Sequence, residues 1–257
     1  MKLGEFEVGD LPPALSVRSL TVAFGDTPRL RNVSADFPAL SISAVLGASG
    51  CGKSTLLRAL NRTLELVPGA HISGRAHACG VDLYAPNVSP AWVRKQIGML
   101  QQRPTAFPLS VVDNVLFGAR FHGLVDEPLA YARRYLERVG LWNEVKDRLK
   151  SSALALSGGQ QQRLCLARTL ATQPRIVLMD EPCSALDPRA TAVIESLARE
   201  LVSEYTLIIV THNVAQARRL ARFAFFFDEG ELIDNGPCDT LLAQAREPAL
   251  AAYLATA

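Results

Sequence analysis

The chain contains 257 residues, of which 49% are hydrophobic and 20% are charged. These proportions are typical of a packed globular protein and exclude an intrinsically disordered chain. The 27 basic and 25 acidic side chains leave a net charge of +2. This near balance gives no electrostatic basis for a nucleic acid as the main partner.

Several features of the sequence indicate the cellular compartment of the chain. Residues 1–7 lack the apolar core of a signal peptide. No apolar run approaches the ~20 residues that a membrane-spanning helix requires. The five cysteines are dispersed and form no Cys-x-x-Cys pair, which favours a reducing compartment over a disulfide framework. We therefore expect a cytosolic chain that is connected to a membrane only through partners.

In chain order, apolar runs of strand length alternate with segments of helical periodicity. The predicted strands are Leu15–Val22, Ile42–Leu46, Ile97–Leu100, Ile176–Met179, Leu207–Val210 and Phe223–Phe227. The predicted helices are Ser54–Arg62, Pro188–Ser203 and Val214–Arg222, each of which follows one of these strands. This alternation predicts βαβ units and a mainly parallel sheet.

Two stretches depart from this alternation. The segment Ser73–Tyr84, with Gly74 and Gly80, predicts an antiparallel hairpin in a smaller β layer. Residues 104–155 have helical periodicity and no convincing strand, which predicts a helical subdomain inserted in the core. The predicted organisation is a single domain over 1–257, with a core at 15–102 and 157–242, a helical subdomain at about 103–156 and a C-terminal tail at 243–257.

A glycine-rich loop follows the second predicted strand. It fits the pattern Gly-x4-Gly-Lys-Ser with Gly47, Ala48, Ser49, Gly50, Cys51, Gly52, Lys53 and Ser54, and it continues with Thr55. The glycines let successive N–H groups face one anion, and a helix beginning near Lys53 adds its partial positive charge. We expect Lys53 to bind the β- and γ-phosphates of a nucleotide and Ser54 to bind Mg²⁺.

Two carboxylates, Asp180 and Glu181, follow the predicted strand Ile176–Met179. They would lie at the C-terminal edge of the sheet, where open α/β sheets bind their ligands. Asp180 is expected to hold Mg²⁺ directly or through water. Glu181 is expected to act as a general base or to orient the attacking water. Together with the glycine-rich loop, these residues predict a P-loop NTPase.

The segment Leu156–Gln160, with the sequence Leu-Ser-Gly-Gly-Gln, resembles the signature of ABC-transporter ATPases. Ser157 and the N–H groups of Gly158 and Gly159 would cap the following helix and could hold a γ-phosphate. The resemblance implies that these residues, with Gln160, serve the nucleotide of a second copy of the chain. Two ATP molecules, each with Mg²⁺, would then lie between two copies arranged head to tail.

The same resemblance implies a fold class. This is an α/β P-loop NTPase (RecA-like) core with a mainly parallel sheet, a small antiparallel β layer and an inserted ABC-type α-helical subdomain. The resemblance covers about 15–242.

Further positions resemble functional residues of this family. Gln102, which has Gln101 beside it, matches the glutamine that senses Mg²⁺ and the attacking water. Asp187 ends the segment 184–187, which resembles the loop that crosses the dimer seam. His212 resembles the switch histidine that contacts the γ-phosphate. Phe24 lies where the family places an aromatic ring on adenine, and packing in the core is an equal alternative for it.

Within the family, the chain looks like the ATPase subunits of phosphate-specific ABC importers. The resemblance rests on residues 60–70, 103–115 and 179–188, the last of which includes Cys183. It implies two integral-membrane permease subunits that contact about 102–120, an indirect link to a substrate-binding protein, and a position at the cytoplasmic face of the inner membrane. The sequence departs from this subfamily at Gln101, at 228–230 and in its ending, 251–257.

Other functions stay open on the sequence. One is an ABC importer ATPase for another substrate, such as a phosphonate or an amino acid. Another is an ABC ATPase outside transport, although no long coiled coil separates the two motifs and the chain has only one ATPase unit. A P-loop kinase or a switch GTPase is disfavoured because such enzymes do not use the segment Leu156–Gln160.

Overall fold

The computed structural model describes residues 13–256, in which strands form two sheets. The strands are β1 (Pro13–Phe24), β2 (Thr27–Pro38), β3 (Ile42–Leu46), β4 (Ala70–Ala78), β5 (Val81–Asp82), β6 (Ile97–Leu100), β7 (Ile176–Asp180), β8 (Thr206–Val210), β9 (Phe223–Asp228) and β10 (Glu231–Pro237). Residues 1–7, which lack the pattern of a signal peptide, lie outside the described residues.

The described helices alternate with these strands and also fill the segment between β6 and β7. They are α1 (Lys53–Leu60), α2 (Pro90–Gln96), α3 (Val111–Phe121), α4 (Pro128–Arg138), α5 (Trp142–Val145), α6 (Gly158–Leu170), α7 (Pro188–Leu201), α8 (Val214–Leu220), α9 (Cys238–Ala243) and α10 (Pro248–Thr256). None of the described helices is both long enough and apolar enough to span a bilayer.

The larger sheet has the strand order β10-β9-β3-β8-β7-β6. Strands β9, β3, β8, β7 and β6 run parallel, and β10 pairs antiparallel with β9 at one edge. Every residue of β3, β7 and β8 is buried, as expected for parallel strands that are covered on both faces. The predicted parallel sheet is confirmed, and its C-terminal edge carries the loops of the candidate site.

The smaller sheet is antiparallel, with the order β2-β1-β4-β5. The hairpin predicted at Ser73–Tyr84 is confirmed, because β4 and β5 pair with His77 opposite Asp82. Strand β2 was not predicted. Its buried residues Leu30 and Val33 are three positions apart, since a register shift and a positive φ at Asn32 interrupt the alternation of a regular strand.

The range predicted as a helical subdomain contains α3, α4 and α5. Helix α3 packs against α4 and α6. One apolar cluster joins Tyr135 of α4, Leu164 of α6 and Val177 of β7, so these helices rest on one face of the larger sheet. Asn114 of α3 is fully buried, and its amide donates to the carbonyl oxygens of Phe107 and Ser110. This side chain fixes the loop that leads into α3.

The range predicted as a C-terminal tail contains the helix α10. Leu250 of α10 is fully buried and belongs to an apolar cluster with Leu46, at the end of β3, and Phe226 of β9. The C-terminal helix therefore shares an apolar cluster with the strand that leads into the glycine-rich loop.

Candidate functional site

The glycine-rich loop connects β3 to α1, and two of its glycines are required by close backbone approaches. Gly47 has a φ of +144°, and a Cβ there would collide with the carbonyl oxygen of Phe227. Gly52 has a φ of +103°, and a Cβ there would lie 2.7 Å from the carbonyl oxygen of Arg29. Both residues adopt a conformation that favours glycine. The loop is therefore a tight cradle of backbone groups, as the sequence motif predicts for a phosphate site.

Lys53, the first residue of α1, points back into this loop. Its Nζ donates to the carbonyl oxygens of Gly47 at 2.8 Å and Ala48 at 2.7 Å, and it lies 3.7 Å from Cys51 Sγ. The lysine is 5% exposed. A positive charge is thus held inside the cradle, where it can act on a phosphate group that enters. Burial raises the pKa of the neighbouring Cys51 thiol, so this cysteine is a neutral packing residue of the loop.

Ser54 and Asp180 meet across the edge of the sheet, as the sequence motifs predict. Ser54 Oγ donates to Asp180 Oδ1 at 2.9 Å. Burial raises the pKa of Asp180, the hydrogen bond from Ser54 opposes that rise, and the charge of Glu181 adds to it. A buried carboxylate beside a hydroxyl group is a suitable pair of hard oxygen ligands for Mg²⁺. The described residues hold no cluster of three or more His, Cys, Asp or Glu suited to a metal.

The side chain of Glu181 lies between those of two other predicted catalytic residues. Gln102 Nε2 donates to Glu181 Oε2 at 2.9 Å, and His212 Nδ1 lies 3.2 Å from Glu181 Oε1. The backbone of Glu181 has a φ of +44°, a strained conformation for a residue other than glycine. Its N–H donates to the carbonyl of Val210, at the end of β8. The neighbouring strand therefore fixes the backbone of Glu181, and Gln102 and His212 contact its carboxylate.

The glycine-rich loop, Lys53, Ser54 and Glu181 with its two partners line one pocket of about 460 Å³. The predicted residues that line it are Ser49, Gly50, Gly52, Lys53, Ser54, Thr55, Gln102, Glu181 and His212. The pocket also includes Arg29, which sequence reasoning missed because it lies on the unpredicted strand β2. Phe24 does not line the pocket and packs, partly buried, against the core of the smaller sheet. Its role at adenine stays a prediction.

The signature residues lie in a different pocket. Ser157 is the N-cap of α6, since its Oγ accepts from Gln160 N at 3.4 Å and the Gln160 side chain accepts from Ser157 N at 3.0 Å. This pocket, of about 440 Å³, is lined by Ser157, Gly158, Gly159, Gln160, Asp187 and several residues of α7. It shares no lining residue with the pocket at the glycine-rich loop.

Asp187 is the N-cap of α7, on the opposite side of this second pocket. Its Oδ1 accepts from the N–H groups of Ala190 at 3.0 Å and Arg189 at 2.8 Å. The hydrogen bond from Ala190, with that from Arg189, lowers the pKa of the Asp187 carboxyl. Arg163 and Arg189 also line the pocket. Arg163 forms an ion pair with Glu144, which lines the same pocket. Neither arginine was identified from the sequence.

Comparison with known proteins shows which proteins this chain resembles. A family model described as ABC transporter matches residues 30–184. A phosphate import ATP-binding protein, PstB 2, from a Synechococcus strain is 52% identical over 209 residues, covering 81% of this chain and 79% of that protein. The phosphate import ATP-binding protein PstB of Salinibacter ruber is 47% identical over 242 residues, covering 94% of this chain and 97% of that protein.

Solved structures agree on the fold. The structure of cbiO1 from Clostridium perfringens, described as part of the ABC transporter complex cbiONQ, has a TM-score of 0.78 at 27% identity and covers 91% of this chain and 92% of its own. A bacterial Atm1-family ABC exporter with ATP bound has a TM-score of 0.80 at 25% identity, covering 98% of this chain and 43% of its own. The predicted fold class is confirmed.

Proposed function

Because this chain belongs to the ABC transporter family, we propose that it is the ATP-hydrolysing subunit of an importer for inorganic phosphate. The observation that carries the proposal is Glu181, held between Gln102 and His212 in the same pocket as the glycine-rich loop. The relatives named phosphate import ATP-binding proteins align with this chain over most of their length. This similarity supports phosphate as the transported substrate.

The glycine-rich loop would hold the phosphates of ATP. The backbone N–H groups of the loop and the first turn of α1 supply hydrogen bonds and a partial positive charge. Lys53 Nζ, which now contacts the carbonyls of Gly47 and Ala48, would turn to the β- and γ-phosphates. Arg29 lines the same pocket and adds a second positive charge near its mouth.

Ser54 and Asp180 are the residues that would hold Mg²⁺. Their oxygen atoms already lie 2.9 Å apart, and a Mg²⁺ ion usually completes its ligands with phosphate oxygens and water. When bound, the ion supplies charge that neutralises the phosphates. Gln102 is proposed as a further ligand, although its amide nitrogen is directed at Glu181.

Glu181 would orient and deprotonate the attacking water. A carboxylate fits this role because it accepts hydrogen bonds from Gln102 and from the imidazole of His212 when Nδ1 carries a proton. These two contacts keep the carboxylate directed into the pocket that holds the phosphate loop. His212 would also contact the γ-phosphate. Because His212 lies beside Glu181, this contact would couple the presence of the γ-phosphate to the position of Glu181.

The second pocket supports a dimer of two copies. It contains the N-termini of α6 and α7 and the side chain of Arg189, which suit an anion. It shares no residue with the pocket that holds Lys53 and Glu181. In a head-to-tail pair, Ser157 of one copy would face the γ-phosphate bound by the other copy, so that ATP draws the two copies together.

Helix α3 offers an apolar surface for the permease subunits at the cytoplasmic face of the membrane. Phe117 and Phe121 of α3 are 54% and 77% exposed, and Leu109 in the preceding loop is 37% exposed. Large exposed apolar side chains of this kind mark interaction surfaces. The surface follows the loop that begins at Gln102, so movement at Glu181 could be passed to the permeases. A substrate-binding protein would take part only through them.

Uptake of radiolabelled phosphate into cells tests the proposal. Cells that carry the wild-type chain should take up phosphate, and cells with Glu181→Gln should lose most of this uptake. Labelled phosphonate, sulfate and amino acids are tested in parallel. Phosphate uptake that is equal in both strains, together with uptake of one of these other substrates that depends on Glu181, would retain the ATPase role and exclude phosphate. Uptake of every substrate that is equal in both strains would overturn the proposed coupling.

A further inference from the structure

The C-terminal helix α10 reaches the switch loop of the first pocket. The hydroxyl group of Tyr253 donates to the backbone carbonyl oxygen of His212 at 3.1 Å. The ring of Tyr253 packs on Phe226 of β9, with ring centroids 5.3 Å apart. Tyr253 therefore joins the end of the chain to the residue that pairs with Glu181.

Helix α10 shares an apolar cluster with both chain segments that border the pocket. Tyr253 packs on an apolar cluster that contains Leu46, the residue before the glycine-rich loop, and Ala217 of α8, the helix after His212. Burial raises the pKa of the Tyr253 phenol, and an interaction with the backbone of Gly47 opposes this rise. The phenol thus stays protonated as a hydrogen-bond donor and lies close to the first residue of the loop as well as to His212.

The position of the His212 imidazole depends on its backbone. Its side chain is 57% exposed although it pairs with Glu181, so packing around the ring does little to fix its direction. The backbone on the C-terminal side is held by Asn213, whose N–H donates to Thr211 Oγ1 at 3.0 Å and whose side chain caps α8. The hydrogen bond from Tyr253 holds the carbonyl of His212 itself.

We infer that Tyr253 is a positioning residue, which holds the backbone of His212 so that the imidazole is directed at Glu181. The inference rests on the proposed ATPase function, because it assigns Tyr253 a part in the same reaction. A hydrogen bond from a partly buried phenol to one carbonyl restricts the loop without touching the nucleotide. Its loss should therefore reduce the turnover number more than the binding of ATP.

The test compares Tyr253→Phe with the matched variant Tyr131→Phe in steady-state ATP hydrolysis. Tyr131 is also partly buried and also donates to a backbone carbonyl, that of Ala171, at 2.7 Å, but it lies in the helical region. We expect Tyr253→Phe to lower kcat about 3- to 10-fold, the effect of one lost hydrogen bond. KM for ATP should stay within about 2-fold, and Tyr131→Phe should match the wild type.

A second comparison in the background of His212→Ala separates positioning from a general structural effect. If Tyr253 acts through the imidazole, adding Tyr253→Phe to His212→Ala should cause no further loss of kcat. An unchanged kcat in Tyr253→Phe alone, an equal loss in Tyr131→Phe, or the same fold loss with and without His212 would each overturn the inference. A wild-type chain without ATPase activity would instead overturn the proposed function, so the two failures are distinguishable.

Discussion

The two pockets are nearly equal in size, about 460 and 440 Å³, but they are built differently. The first lies at the ends of buried parallel strands and contains Glu181 beside Lys53, and Asp180 accepts a hydrogen bond from its lining residue Ser54. The second lies between the N-termini of α6 and α7 and contains hydrogen-bond donors and arginines. Its acids form structural contacts, because Glu144 pairs with Arg163 and Asp187 caps α7.

The difference agrees with the separate tasks that we propose for the two pockets. The first has an oriented carboxylate that is available for chemistry. The second has only the features of an anion-binding surface, and a γ-phosphate would be its natural ligand. Under the proposed function, each copy of the chain supplies two different half-sites, and a head-to-tail pair of copies would contain two complete sites.

The largest effect is expected from removing the charge of Glu181. Glu181→Gln keeps the shape of the side chain but cannot accept a proton, so ATP hydrolysis should fall at least ~10²-fold. Binding of ATP should persist, because Lys53 and the loop are unchanged, and the ATP-bound dimer should accumulate. Phosphate release measures hydrolysis, calorimetry measures ATP binding, and light scattering measures the dimer.

The matched change in the second pocket is Glu144→Gln. It weakens the ion pair in which Arg163 Nη1 and Glu144 Oε1 lie 2.7 Å apart, but it removes no catalytic group. Its hydrolysis rate should stay within about 10-fold of the wild type. A loss as large as that of Glu181→Gln would break the distinction between the two pockets, and normal turnover of Glu181→Gln would remove this residue from the base role.

An intermediate effect is expected on the steps before hydrolysis, and it should differ between the pockets. Ser157→Arg places a large side chain in the second pocket, so it should block ATP-dependent dimerisation while the isolated chain still binds ATP. Lys53→Ala acts in the first pocket and should weaken ATP binding by the isolated chain at least ~10-fold, the loss of a charged contact. Light scattering measures the dimer, and calorimetry measures the affinity.

The variant Ser89→Arg is the control for the loss of a helix cap in Ser157→Arg. Ser89 is an exposed N-cap that accepts from Trp92 N at 3.2 Å and lies in neither pocket. This variant should form dimers as the wild type does. Dimers that persist in Ser157→Arg would contradict the shared site, and equal ATP affinity in Lys53→Ala would contradict the role of Lys53.

The smallest effect concerns the connection between the pockets. Helix α7 begins in the second pocket, and its buried Glu195 accepts from Arg219 of α8 at 2.6 and 3.0 Å. Glu195→Gln should lower the free energy of unfolding by about 1–3 kcal/mol at pH 7. Glu137→Gln, in the exposed pair with Arg133, should change it by less than about 1 kcal/mol. Urea unfolding measures both.

The pH dependence of this effect has a definite sign. The hydrogen bond from Arg219 lowers the pKa of Glu195 below its ordinary value of 4.5. The pair therefore contributes its full stability above pH 4.5 and loses it as the pH falls through the lower, folded-state pKa. The difference between wild type and Glu195→Gln should narrow in that acidic range, and a difference that is constant with pH would contradict the assignment.

The sequence predicted the first pocket better than the second. Gly47–Ser54 and Asp180–Glu181 directly follow buried strands, and parallel strands bring their carboxyl ends to one edge. The contacts of Glu181 with Gln102 and His212 follow from the same rule, since β6, β7 and β8 are neighbours. Arg29 escaped prediction because the alternation of β2 is interrupted at Asn32, and Tyr253 because its range was interpreted as a tail.

What the sequence determined by itself was local chemistry: the glycine spacing of a phosphate cradle, the carboxylates after an apolar strand, and the serine that caps α6. These depend on residues close together in the chain, so pattern and spacing suffice to predict them. Tertiary structure decided which distant groups meet. Packing brings Tyr253 to His212 and separates Ser157 from Lys53 into different pockets. Such contacts depend on how helices pack on the sheet, which no local pattern specifies.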